Sequence, residues 1–256
     1  MADGEFAFGV LGDTPYSGAE AARLDALIGR INADRLAFVV HVGDLGSSAR
    51  DQGCSDAWLE ARKRQFTTFG HPFVILPGDN EWSDCATHGM DAQARLAKWR
   101  QLFCAPVAKI EIERQPSHCE NVRWRAHGHY FIGLNVPGRG KNPAGDKHMT
   151  AVYEWLDESL ANAESTRAQR IFVFLHADPY FERGSQSDGY ARLRKVLEAH
   201  AGWFDGRLVL VHGDTHMYRD DEPLPGLRRL QMWGSPFVSW LRVSASADGV
   251  RAEAGW

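Results

Sequence analysis

The chain has 256 residues, of which 44% are hydrophobic, and a net charge of −4. Those values suit one α/β domain with a sizeable core and exclude a disordered or extended chain. The mildly acidic balance argues against a protein that coats nucleic acid, so no stable nucleic-acid partner is expected, and no apolar run approaches the ~18 residues of a membrane span.

The first apolar run, residues 6–11, stops at Gly12-Asp13-Thr14-Pro15-Tyr16. Short apolar runs bounded by turn residues read as buried strands. Behind Ser17, a candidate N-cap, Leu24, Leu27, Ile28 and Ile31 recur at helical spacing, which predicts a helix packed on that strand. The unit repeats twice. Residues 36–42 stop at Gly43-Asp44, and Ser55 opens a helix with Trp58, Leu59 and Phe66. Residues 73–76 lead to Gly78-Asp79-Asn80-Glu81, and Asp91 opens a helix with Leu96, Trp99 and Phe103. The one dense basic cluster, Arg62-Lys63-Arg64, falls on the second helix and reads as a solvated face.

Pure alternation then ends. Residues 122–124 and 130–135 are strand-like with a short Gly-containing connection, which predicts a hairpin. Residues 137–148, with Arg139 and Lys141, form a polar Gly/Pro-rich loop of a length that is often functional. Thr150 opens a helix with Val152, Trp155, Leu156 and Leu160, and residues 171–175 stop at His176. Asp188 opens a last helix with Leu193, Val196 and Leu197, and residues 208–211 stop at His212-Gly213-Asp214-Thr215-His216. Two strands, 227–232 and 237–243, follow without a helix. Mixed sheets with helices on their outer faces fit this order, and the absence of repeats or linkers makes residues 1–256 a single domain.

Cys54, Cys85, Cys104 and Cys119 have no CxxC spacing, so a zinc finger or thioredoxin-like site is not indicated. A Cys54–Cys85 bond would brace the loops after the second and third strands, and a Cys104–Cys119 bond is sterically feasible. Four cysteines allow three pairings, and four reduced thiols are equally open. Paired cysteines would favour a periplasmic or secreted protein. The opening Met-Ala-Asp-Gly-Glu has neither a basic nor an apolar leader region, and a mature secreted terminus would look the same.

In open α/β sheets ligands gather outside the carboxyl ends of the strands. Asp13, Asp44, Asp79, Asp214, His176 and His216 should therefore converge on one rim. Carboxylates brought together out of water repel unless cations neutralise them, so the pattern predicts a divalent metal centre.

The ordered motifs GDTP, GDLG, GDNE, LHAD and GDTH, from Asp13 to His216, resemble those of the calcineurin-like metallophosphoesterase family. The resemblance implies a four-layer α/β/β/α sandwich of two mixed sheets, two divalent cations and hydrolysis of phosphate esters. Its usual pattern is Asp-x-His, GD, GN-His-Glu/Asp, a lone His and G-His-x-His. Carried over, Asp13 resembles the first-motif ligand, Asp44 the carboxylate shared by both cations, and Asp79 a ligand usually supplied by Asn. His176 resembles the lone His, Asp214 stands at the first His of the last motif, and His216 matches the second. One cation is then expected on Asp44, Asp79, His176 and Asp214. The other, on Asp13, Asp44 and His216, lacks one protein ligand because Pro15 occupies a His position, and it would rely on water, Tyr16 or substrate. The oxygen-rich set shifts the expected metals toward Mn, Mg, Ca or Fe and away from a purely Zn preference.

The implied reaction is attack on phosphorus by a water that two cations activate, on a small phosphomonoester, phosphodiester or nucleotide. Asn80 stands at the family's catalytic His, and an amide cannot deliver a proton to a leaving group. His212 is the candidate replacement acid, and Tyr16 a second donor or a rim aromatic. Asn135, at a strand end, and Trp82 and Trp233 are candidate substrate contacts. The losses at Pro15 and Asn80 leave a degenerate member that binds phosphate or a partner without turnover as the alternative. A carbohydrate-recognition module has only the nine tryptophans behind it, and the oligomeric state is open.

Overall fold

Strand β1 (Phe6–Leu11) is buried on both faces, with Phe6, Phe8 and Val10 in one apolar cluster and Leu11 in another. A strand whose successive side chains point to opposite faces can bridge two cores in this way. The structure, a computed structural model, describes residues 6–138, 146–181 and 189–256. Asp188, Arg139 and Lys141 lie outside the described residues.

Ser17 caps α1 (Gly18–Ala33), Ser55 caps α2 (Asp56–Phe66) and Asp91 caps α3 (Ala92–Phe103), each side chain accepting a first-turn N–H. These helices alternate with β2 (Val39–His41) and β3 (Phe73–Ile75). Next come β4 (Ile112–Gln115), β5 (His118–Ala126), β6 (His129–Gly133), α4 (Asp146–Ser165) and β7 (Ile171–Phe174). The chain continues through α5 (Ala191–Trp203), β8 (Leu208–His212), β9 (Arg219–Leu224) and β10 (Leu227–Gln231) to β11 (Trp240–Ala245) and β12 (Val250–Gly255).

One sheet has the order β12-β11-β1-β2-β3 and the other β4-β5-β6-β7-β8-β10-β9. β1, β2 and β3 run parallel, as do β6, β7, β8 and β10, while the outer pairs are antiparallel. Phe8, Phe38, Trp124, Phe131, Phe172 and Phe174 fill the space between the sheets. On the far side of the first sheet, Leu24, Leu27, Phe66 and Trp99 of the helices meet Leu11, Val39 and Ile75. On the far side of the second, Trp155, Leu156, Leu193 and Leu197 meet Ile132, Ile171, Val173 and Leu210. Three stacked cores make the expected four-layer α/β/β/α sandwich of two mixed sheets.

The structure differs from the sequence expectation in three places. β4, β9 and β12 were not anticipated, and all three are sheet edges whose sequences, such as Arg219–Leu224, are largely polar and carry no apolar run. α4 begins at Asp146, one turn before Thr150. Arg62 is buried, with its guanidinium over the Trp58 ring at 4.6 Å, so the basic cluster is not a uniformly solvated face. Disulfides join Cys54 to Cys85 and Cys104 to Cys119. Among the described residues, no helix is long and apolar enough to cross a membrane.

Candidate metal centre

Parallel β1, β2 and β3 deliver Asp13, Asp44 and Asp79 to one edge of the first sheet, and parallel β7 and β8 deliver His176 and Asp214 to the adjoining edge of the second. Ligand atoms of Asp13, Asp44 and His176 lie within 4.8 Å of one another, as do those of Asp79, His176 and Asp214. His176 Nε2 sits at the junction, 3.4 Å from both Asp44 Oδ1 and Asp79 Oδ1. His216 Nε2 approaches Asp13 Oδ1 at 3.6 Å from the partly exposed side. Six residues from distant parts of the chain thus meet in one cluster, buried except at Asp214 and His216.

The backbone bends to make this possible. Asp13, Asp44, Asp214 and His216 have φ of 52°, 59°, 77° and 59°. For residues with a side chain this left-handed region is strained, on the order of 1–3 kcal/mol each, and such strain gathers at functional sites. The glycines of the GD pairs have a separate cause: a methyl group on Gly78 would collide with Asp44 Oδ1, and one on Gly213 with Asp13 Oδ2.

Both imidazoles present Nε2 to the cluster because Nδ1 is taken up behind. His176 Nδ1 donates to Val42 O at 3.2 Å and His216 Nδ1 to Ser235 O at 2.8 Å, since a carbonyl can only accept. This fixes the tautomer that leaves Nε2 with a lone pair, the usual support behind a ligating histidine. Among the described residues Asp13 Oδ2 is buried without a hydrogen-bond partner, and His176 Nε2 faces Asp44 Oδ1 and Asp79 Oδ1 at 3.4 Å each; a coordinated cation would serve both atoms. The donor set therefore fits divalent cations.

Electrostatics agree. Burial pushes the Asp13 and Asp44 carboxyls above the usual carboxylate range against the opposing pull of His176. Burial likewise raises Asp214 to about 6 and Glu81 to about 7. Burial would lower the His176 pKa, but the charges of Asp44 and Asp13 and a hydrogen bond with Asp79 raise it well above its ordinary value. A cluster that holds protons this strongly is short of positive charge, and bound cations reverse that balance.

Tyr16 and Asn80 close the cluster. Tyr16 Oη donates to Asp44 Oδ2 at 2.5 Å and lies 3.3 Å from His216 Nε2. Asn80 Nδ2 lies 2.6 Å from Asp44 Oδ2, 3.0 Å from Gly46 O and 3.0 Å from Tyr16 Oη, and its backbone N–H donates to Asp44 Oδ1 at 3.1 Å.

Three expected site residues are elsewhere. Trp82 is fully buried in a small cluster with Ala92 and Leu96 and beside the His148 ring, so it walls the core and not a pocket. Asn135 is fully buried, its N–H donating to Asn121 Oδ1 at 2.7 Å and its carbonyl accepting from His148 Nε2 at 2.9 Å. His212 is fully buried, donates from Nδ1 to Gly213 O at 3.1 Å and faces Asp178 at 3.9 Å. Burial lowers the His212 pKa to about 4, so the ring is neutral and is not an acid poised at the rim.

The structure adds residues the sequence reading passed over. Glu81 is fully buried and accepts from Leu45 N at 2.5 Å, Gly78 N at 2.6 Å and Asp44 N at 3.2 Å, tying together the turns that carry Asp44 and Asp79. Glu20 accepts from Tyr16 N at 2.7 Å and Ser235 Oγ at 2.9 Å, joining α1 to the segments beside His216. Asp178 donates its N–H to Asp214 Oδ2 at 3.2 Å. The third-motif Glu/Asp was a readable signal for Glu81; Glu20 and Asp178 had none.

The fold has counterparts. No curated protein sequence matches the chain. Among solved structures, a dimetal phosphatase from Danio rerio is similar at TM-score 0.62 and 12% identity, over 96% of this chain and 98% of that one. PhoD is similar at TM-score 0.66 and 11% identity, over 97% and 68%. GAP50, the anchor in the inner membrane complex of Plasmodium, is similar at TM-score 0.63 and 14% identity, over 98% and 84%. At such identities these likenesses show a shared fold alone. The model of the calcineurin-like phosphoesterases matches residues 6–221, most of the length, and the chain belongs to that family.

Proposed function

We propose that the chain is a metal-dependent phosphoric ester hydrolase, acting as a single catalytic domain of residues 1–256 on a small phosphomonoester, phosphodiester or nucleotide. The observation that carries this reading is the buried meeting of Asp13, Asp44, Asp79, Asp214 and His176 across two sheets in a phosphoesterase family. Asp44, Asp79, His176 and Asp214 would hold one divalent cation. Asp13, Asp44 and His216 would hold a second, weaker one, with Tyr16 beside them. The identity among Mn, Fe, Mg, Ca and Zn is left to measurement. Bound there, divalent cations supply charge stabilisation for phosphoryl oxygens and lower the pKa of a water.

The chain's own groups set the stage for that chemistry. Glu81 fixes the two turns, the backbone carbonyls behind His176 and His216 fix their tautomers, and Tyr16 and Asn80 orient Asp44. Asn80 acts in this account as a positioning residue for Asp44, because its amide is bonded there and has no proton to titrate. A second reading, a degenerate member that binds phosphate or a partner without turnover, draws on the same amide and on Pro15. The Plasmodium relative described as an anchor is of the same fold.

Phosphate release from aryl phosphate mono- and diesters, after stripping and re-adding each metal, separates the two. Hydrolysis that needs metal and is abolished in Asp44→Asn supports the enzyme. Metal binding without release on any ester supports the second reading, and full activity of Asp44→Asn removes the role given to that carboxylate. The two disulfides support an oxidising compartment, periplasmic or extracellular.

A further inference from the structure

A cavity of about 370 Å3 opens beside Asp214 and His216, and Phe181, Met217, Tyr190 and Asp178 also line it. Phe181 is 61% exposed and Met217 45%, whereas Tyr190 is buried, its hydroxyl donating to Pro137 O at 2.8 Å. Single exposed apolar side chains are ordinary on protein surfaces. Two in one cavity, against a charged rim, call for an occupant.

We propose that this cavity receives the planar aromatic group of an aryl phosphate ester, with Phe181 and Met217 against the ring and the phosphoryl group toward Asp214 and His216. This deepens, and rests on, the reading of the centre as a phosphoester hydrolase.

Three observations converge. Among the described residues no Lys or Arg lines the cavity, while Asp178 and Asp214 do. Asp178 is already paired with Arg229 at 3.5 Å and Asp214 belongs to the cation site, so the described lining offers no cation to a second phosphate or a carboxylate tail, and it suits a neutral organic group. A phenyl face and a thioether are the side chains that hold a π-system well, by offset stacking and sulfur contact at the ring.

The third observation concerns the leaving group. Asn80 has no titratable proton and its amide is bonded to Asp44 and Gly46, the Tyr16 hydroxyl donates to Asp44 Oδ2, and neither Tyr16 nor buried His212 is among the described residues that line the cavity. An ester oxygen that departs without a donated proton must be stable as an anion. A phenolic oxygen, with a pKa of about 10, meets that demand, and a far more basic alkoxide does not. In the reaction the oxygen of water bonds to phosphorus and the bond from phosphorus to the aryl oxygen breaks. The electron pair leaves on the aryl oxygen, which takes a proton from solvent, and the proton lost by water passes to solvent.

The test is calorimetric binding of phenylphosphonate and methylphosphonate, neither of which is hydrolysed, to the cation-loaded protein. We expect phenylphosphonate to bind about tenfold tighter or more. In Phe181→Ala/Met217→Ala that preference falls to within about twofold, and in Phe181→Trp it persists, which separates loss of the slot from loss of the fold. Equal binding of the two phosphonates, binding of neither, or a preference that survives the double substitution overturns the proposal. A retained preference without phosphate release from any ester leaves the cavity's assignment standing and removes the reading of turnover alone.

Discussion

Stripping the cations should turn the site's buried carboxyls into a pH liability. Asp214 is raised from 3.8 to about 6 and Glu81 from 4.5 to about 7, in each case chiefly by burial. In the unfolded chain both lose their protons at their ordinary values. In the metal-free folded protein they keep them until about 6 and 7. Between those limits the native state binds more protons than the unfolded state, so stability falls as pH rises and the fall is complete above about 7. At about 1.4 kcal/mol for each pH interval of one, either group alone accounts for on the order of 3 kcal/mol. That is a large part of the ~5–15 kcal/mol that holds an ordinary domain folded. His176, whose pKa is raised, adds to the loss as pH climbs through its folded value, while Asp56, Glu113 and Asp221 have lowered pKa values and titrate below the window. Buried His41, His129 and His212, lowered from 6.5 to about 4, act the other way and add stability as pH rises toward 6.5. Urea unfolding at pH 5 and pH 8, in excess chelator and again with saturating Mn, isolates the cluster, because those histidines titrate in both series. The stabilisation by Mn should grow from pH 5 to pH 8, because cations replace the protons and bind more tightly as pH rises. A stabilisation by Mn that is no larger at pH 8 than at pH 5 would refute the electrostatic account of the cluster.

Three further outcomes are expected. Glu81→Gln puts an NH2 against backbone N–H groups of Leu45, Gly78 or Asp44, and should lower stability by about 2–4 kcal/mol and weaken metal binding, read by thermal melts and calorimetry. Asn80→His should raise kcat/KM on alkyl phosphates more than on aryl phosphates by restoring a proton donor; an equal change on both would mean leaving-group protonation does not limit the reaction. Non-reducing mass spectrometry should find Cys54–Cys85 and Cys104–Cys119, and Cys54→Ser/Cys85→Ser should cost about 2–4 kcal/mol; four free thiols would remove the case for an oxidising compartment.

What the sequence displayed and what it hid follow from different physics. The interior strands were legible because burial on both faces writes an unbroken apolar run, as in Ile171–Phe174 and Leu208–His212. Edge strands β4, β9 and β12 were not, because one side faces water and charge is tolerated there. The carboxylates and imidazoles could be read because each directly follows a parallel strand, where topology fixes its end of the sheet. The same rule misled at Asn135 and His212: a polar group at a strand end can turn inward if a partner waits there, and Glu120 and Gly213 supply one. Trp82 follows the third motif, yet a large apolar ring is held by packing with Leu96 more than by its neighbours in sequence. Glu20 lay beyond reading because its partners, Tyr16 and Ser235, are brought to it only by the folded sheets.

The central claim is that the buried carboxylates and imidazoles exist to hold cations. Isothermal titration of the chelator-stripped protein with Mn2+ and Zn2+, beside His176→Ala, addresses it most directly. The account predicts one tight and one weaker equivalent, with proton release on binding and loss of the tight equivalent in the variant. No saturable binding, or binding that His176→Ala leaves unchanged, would contradict it.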